Sequence, residues 1–231
     1  MSQLIKMVVF DMAGTTVNEN NIVYKTLRNA INTVGGFDLS LAEVLAHAAG
    51  REKLQAIKSV LKCCLNLVND QLAEEMFNVF LQELAHAYEV EPVYPNANVE
   101  ELFRLLKDRN VLRVLNTGYN RETAEALLVK LNWNVGRDVD ALITASDVPM
   151  NRPHPDMINL AIEKFGIENP SSVVKIGDSI IDIQEGQNAG CRLSIGITTG
   201  AHNRLQLNSA HPNYIIDDLL ELVSILDKHN V

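Results

Sequence analysis

Four short stretches of the 231-residue chain hold residues whose types and spacing could do chemistry. In FDMAGTT, Asp11 follows a short apolar run. A carboxylate at the end of a buried strand can attack phosphorus once a cation suppresses repulsion from the phosphoryl oxygens. Gly14 and Thr15 follow in a turn whose backbone N–H groups can face an anion. In NTGY, the Thr117 hydroxyl can hydrogen-bond a phosphoryl oxygen. In NRPHP, the Arg152 guanidinium can pair with phosphoryl charge. In GDSIIDIQEG, Asp178 and Asp182 are spaced one helical turn apart, so both can face one point. Asp11 and Asp178 together offer hard oxygen ligands for Mg²⁺, with waters and a phosphate oxygen completing its shell.

These residues need elements to position them. Ile5–Phe10 reads as a buried strand, and Val111–Leu115, Ala141–Thr144, Val173–Ile176 and Leu193–Ile197 as further strands. Helical spacing over Val99–Lys107, Glu122–Leu131, Met157–Phe165 and Ile183–Ala189 predicts helices between them. The alternation predicts an α/β fold, a doubly wound parallel sheet with helices on both faces. Ligands of such sheets bind beyond the carboxyl ends of the strands. Asp11, Asn116-Thr117-Gly118, Ser146-Asp147 and Gly177-Asp178 all fall there. Between the first strand and the rest, Tyr24–Val34, Leu41–Ala48, Lys53–Leu65 and Gln71–Tyr88 have helical spacing and no strand among them. This predicts an inserted all-helical domain, residues 18–92, over a core formed by 1–17 and 93–231. Its hinges would lie near Val17–Asn20 and Val93–Asn96, and it would act as a lid.

Bulk properties narrow the partners. With 47% hydrophobic residues the chain can bury a full core, and its net charge of -9 gives no basic footprint for nucleic acid. No apolar run reaches the roughly 18 residues of a membrane span. Cys63, Cys64 and Cys191 suggest neither a disulfide framework nor a zinc site. The expectation is a cytoplasmic protein with a small anionic substrate, no nucleic-acid or membrane partner, and room for a homodimer that no motif specifies.

FDMAGTT, NTGY, RPHP and GDSIIDIQEGQNAG, in that order and spacing, resemble the haloacid dehalogenase superfamily, with the helical insert where that superfamily carries its cap. The resemblance implies a Rossmann-like core, an aspartyl-phosphate on Asp11, and Mg²⁺ held by Asp11, the backbone carbonyl of Ala13 and Asp178, with Asp182 supporting. Ala13 stands where the superfamily's phosphatases have a general-acid Asp, and Arg152 where Lys is usual. With Gly118 and Tyr119 after Thr117, these features resemble phosphonoacetaldehyde hydrolase. That family uses a cap Gly-x-x-Lys element, matched here by Gly50-Arg51-Glu52-Lys53. The resemblance implies that Lys53 condenses with a substrate aldehyde, so the leaving carbon departs as an enamine. Lys53 would need a depressed pKa, to which Arg51 could contribute. The family's Met before that Gly and His after that Lys are Ala49 and Ala56 here, and His47 is a nearby substitute.

Three alternatives stay open in the sequence. One is a phosphomonoester phosphatase of the phosphoglycolate phosphatase type. Another is a phospho-ligand-binding protein that has lost turnover with the acid at position 13. The third, displacement on a 2-haloacid, needs no metal site and is disfavoured by the Asp178 cluster. Bland roles also exist: Asp178 and Asp182 as helix caps, Thr117 as a turn residue, Arg152 as a loop residue, Lys53 as a solvated helix-surface lysine.

Overall fold

The computed structural model describes residues 4–229. Residues 1–3 and 230–231, at the two ends of the predicted core, lie outside the described residues. The chain opens with β1, Met7–Phe10, and after a tight turn enters β2, Val17–Asn18. Four helices follow: α1 Ile22–Gly35, α2 Leu41–Ala48, α3 Lys53–Leu65 and α4 Asp70–Val90. β3, Tyr94–Pro95, returns antiparallel beside β2. The remainder alternates: α5 Val99–Asp108, β4 Leu112–Thr117, α6 Arg121–Lys130, β5 Ala141–Thr144, α7 Asp156–Lys164, β6 Val173–Gly177, α8 Ile180–Asn188, β7 Leu193–Ile197, α9 Arg204–Asn208, β8 Tyr214–Ile216 and α10 Glu221–His229.

Six of the strands form one parallel sheet in the order β5-β4-β1-β6-β7-β8. The chain builds outward from β1 through β4 and β5, then crosses back to β6 and builds the other way. The crevice at this reversal lies between β1 and β6, and it opens where Asp11 and Asp178 follow their strands. β1, β5, β6 and β7 are buried along their whole length, as expected of strands covered on both faces. Lys175, in the middle of β6, is buried with them.

α1–α4 stand between β2 and β3. In α4, Met76, Phe80, Leu84 and Tyr88 recur every fourth residue and face inward. They join Leu27 and Ile31 of α1 and Ile57, Val60 and Leu61 of α3 in an apolar cluster continuous with one face of the sheet. α2 starts on a reciprocal cap between Ser40 and Glu43, and α3 on the Glu52 carboxylate, which accepts from Leu54 N and Gln55 N. At the predicted hinges, Val17 lies opposite Pro95 and Asn18 opposite Tyr94. Asn20 and Asn21 then turn the chain in the left-handed region.

The predicted elements are present with ends shifted by up to three residues. The β2–β3 ribbon and β8 were not predicted, because strands of two and three residues fall below any periodic signal. No helix among the described residues is long and apolar enough to cross a membrane.

Candidate active site

Asp11 ends β1, where its N–H donates to Ile176 O of β6 and its carbonyl accepts from Thr16 Oγ1. Its buried carboxylate accepts from Arg152 Nη1 at 2.6 Å. Burial and the neighbouring Asp182 push its pKa up, against the pull of Arg152 and Lys175. Asp178 lies just before α8, whose N-cap is Ser179, so Asp178 and Asp182 converge across a helix start rather than along a helix. Oxygens of Asp11, Asp178 and Asp182 lie within 4.8 Å of one another.

Four buried carboxylates, Asp11, Asp178, Asp182 and Glu185, here meet two buried cations, Arg152 and Lys175. Burial, then Asp11 and Asp182, hold Asp178 well above the usual carboxylate range. For Asp182 burial acts in the same direction, but Arg152 and Lys175 outweigh it and hold the group low. Asp182 is thus already neutralised by two cations, which suits a supporting role. Asp11 and Asp178 are short of positive charge, and among the described residues no hydrogen-bond donor approaches the Ala13 carbonyl. An excess of hard oxygen donors suits a divalent cation such as Mg²⁺, which Asp11, Ala13 O and Asp178 could hold.

The Asp178 carboxylate is wedged by glycines. Its Oδ2 accepts from Ala201 N at 2.6 Å, and a Cβ at either Gly14 or Gly200 would overlap it. Gly200→Ala is therefore expected to displace the carboxylate and weaken Mg²⁺ binding by about tenfold or more, read by calorimetric titration. Unchanged affinity would show that Asp178 is not a ligand.

Two groups expected at the anion site have protein partners in this structure. The Gly14 and Thr15 N–H groups donate within the tight turn, to Val17 O and Met12 O. Among the described residues, the N–H groups of Met12 and Ala13 have no such partner. Arg152 likewise does not wait in an open loop for phosphoryl charge. Its Nη1 lies on Asp11 and 2.9 Å from Asp182 Oδ1, and its Nη2 donates to Asn116 O and Oδ1. Its Nε is 3.0 Å from Glu185 Oε2, an ion pair without hydrogen-bond alignment. A guanidinium this buried needs carboxylate partners, and it acquires them.

Thr117 ends β4 beside the cluster, and its Oγ1 accepts from Tyr119 N, which leaves the hydroxyl proton to donate. Gly118 lets the segment between α2 and α3 approach: a Cβ there would lie 2.6 Å from Arg51 O. Gly50 does the same against Ser179. This contact delivers Lys53, first residue of α3, to the site. Lys53 is only 7% exposed, donates to Arg51 O at 2.9 Å, and lies over the Tyr119 and Tyr24 rings at 5.0 and 5.6 Å. Its pKa is lowered by burial and by Arg152, against the pull of Asp11, Glu52 and Glu19. Arg51 is not among the causes; its Nε turns away to His47 O. Lys53, Phe80, Leu84, Tyr119 and Asn151 are among the residues lining a cavity of 310 Å³.

Asp147 stays outside the site, paired with Arg121 and capping Thr144. Cys191 is partly buried, and desolvation pushes its thiol up to about 12. Lys175, Glu185, Glu19, Tyr24 and Tyr88 join the site or its walls without a motif that names them. A lysine inside the apolar run VVKIG was a usable signal, as was Glu185 one turn after Asp182. For Glu19 and Tyr88 no local signal exists, because they meet across the helical insert.

The family profile of haloacid dehalogenase-like hydrolases matches residues 5–190. The chain is 28% identical to phosphonoacetaldehyde hydrolase of Latilactobacillus sakei, over 97% of this chain and 96% of that protein. It is 27% identical to phosphoglycolate phosphatase of Haemophilus influenzae, over 98% and 100%. The crystal structure of a phosphonoacetaldehyde hydrolase-like protein from Oleispira antarctica shares the fold, with a TM-score of 0.85 at 18% identity over 99% of this chain and 94% of that one. The parallel sheet, the acidic cluster at its switch point and the profile match agree, and the protein belongs to the haloacid dehalogenase-like hydrolase family.

Proposed function

We propose that the protein is a Mg²⁺-dependent hydrolase of a small phosphonate bearing an aldehyde, acting through a phosphoryl group on Asp11 and an imine on Lys53. The observation that carries this reading is the Lys53 amine: it is buried between two tyrosine rings, within electrostatic reach of Asp11 and Arg152 and away from solvent, with a lowered pKa. A solvated surface lysine has none of these properties. The absence of a side-chain acid at Ala13 suits a leaving group that needs an electron sink rather than a proton. The 28% identity to a phosphonoacetaldehyde hydrolase points the same way.

The neutral Lys53 amine adds to the aldehyde carbon, and water leaves as the iminium forms. An Asp11 carboxylate oxygen attacks phosphorus as the C–P bond breaks, and its electron pair flows to the iminium to give an enamine. Thr117 and the Met12 and Ala13 N–H groups hold the phosphoryl oxygens. Arg152 keeps one Asp11 oxygen fixed. Asp11, Ala13 O and Asp178 would hold Mg²⁺, which would supply charge neutralisation between nucleophile and phosphoryl group. The enamine carbon then takes a proton from water to regenerate the iminium, and water hydrolyses the aspartyl-phosphate and that iminium, freeing phosphate, aldehyde and Lys53. Residues 18–92 act as the lid, hinged on the β2–β3 ribbon, and the Gly50 and Gly118 contacts close it against water.

Incubation with phosphonoacetaldehyde, Mg²⁺ and borohydride is expected to leave a reduced adduct on the Lys53 peptide, absent from Lys53→Arg. Phosphate release from phosphomonoesters with no adduct would overturn the imine and leave an ordinary phosphatase.

A further inference from the structure

A buried carboxylate stands behind Lys53 with no part in the steps above. Glu19 lies between β2 and α1, and only 3% of it is exposed. Its Oε2 accepts from Val23 N at 2.8 Å and from the Tyr88 hydroxyl at 3.2 Å. The Tyr88 hydroxyl is 2.7 Å from that of Tyr119, the ring over which Lys53 lies. The chain from Glu19 through two hydroxyls thus ends at the wall of the amine pocket. We infer that Glu19 is the proton reservoir for imine formation at Lys53, working through the Tyr88–Tyr119 hydroxyl pair; this rests on the Schiff-base reading above.

Imine formation needs such a group. The Lys53 ammonium must lose a proton before its nitrogen can attack, and the carbinolamine oxygen must gain one before it leaves as water. Ala56 supplies neither. With Glu19 ionised, Tyr119 donates to Tyr88 and Tyr88 to Glu19. When Glu19 takes the proton, both hydroxyl bonds reverse, and the proton can return by the same route. Burial raises Glu19 to about 7, against the lowering effects of Val23 N–H, Tyr88, Lys53 and Lys25. Burial also keeps Tyr88, Tyr119 and Tyr24 protonated. The carboxylate can therefore both accept and return a proton near neutrality, the condition for efficient acid–base work.

The test is quenched-flow borohydride trapping of phosphonoacetaldehyde at several pH values between about 5.5 and 9. The wild type should show adduct formation rising with pH through about 7, as Glu19 ionises. Glu19→Gln should lose that limb and fall about a hundredfold in rate at neutral pH, with KM little changed. Glu19→Asp should restore the limb. Tyr88→Phe should reproduce the Gln variant while leaving Glu19 in place, and it decides the matter if Glu19→Gln does not fold. A purely electrostatic Glu19 predicts the reverse sign, because removing its charge lowers the Lys53 pKa further and frees more neutral amine. A wild-type rate and profile in Glu19→Gln and Tyr88→Phe would overturn the relay alone. Absence of any wild-type adduct would overturn the Schiff-base reading and the relay with it.

Discussion

Replacing Asp11 by Asn is expected to cut phosphate release by about 10⁴-fold or more while leaving the protein at least as stable as the wild type. Asn keeps the shape of the side chain and can still meet Arg152, but it cannot carry a phosphoryl group. The stability half follows from sign. Burial and Asp182 raise the folded-state pKa of Asp11, so its ionised form costs stability above the carboxylate range. The neutral amide removes that cost and relieves repulsion on Asp178. Thermal melting beside a phosphate-release assay checks both halves. An active variant would remove Asp11 from the covalent role, and an unfolded one would mean that the Arg152–Asp11 pair holds the crevice together.

Lys175→Met is expected to destabilise the fold by about 3–5 kcal/mol at neutral pH, measured by urea denaturation. The Lys175 ammonium is fully buried, 2.6 Å from Asn116 Oδ1, 3.0 Å from Asp182 Oδ1 and 3.2 Å from Glu185 Oε2. Its loss leaves four carboxylates to one arginine. Asp182, whose folded-state pKa is lowered, contributes stability that is present above its unfolded value of 3.8 and lost as pH falls through the folded one. Without Lys175 that contribution shrinks, so the deficit should be largest near pH 7 and narrow as pH falls through 3.8 toward the lowered folded-state value of Asp182. Adding Glu185→Gln should recover part of it. A deficit below about 1 kcal/mol would show that the cluster does not hold all its charges in the folded protein.

Both variants act on pairings that spacing did not reveal, which separates the two sources of information about this protein. Five of the six sheet strands and the four helices between β2 and β3 were legible in the sequence, because a buried parallel strand is a local apolar run and an amphipathic helix a local period. Motifs at strand ends placed Asp11, Thr117 and Asp178 in one crevice, since ligands of such sheets meet where the strands end. The Gly-x-x-Lys match singled out Lys53 without saying whether it was solvated. That Lys53 is enclosed between Tyr24 and Tyr119 emerges from packing in the tertiary structure alone, because desolvation depends on what other segments cover. Only there does Arg152 turn from the substrate's phosphoryl charge to Asp11, since a buried guanidinium takes the carboxylates around it. Lys175, Glu185 and the Glu19–Tyr88–Tyr119 chain joined the site for the same reason: burial forces charged and polar groups to find partners, and those partners come from elements far apart in the chain.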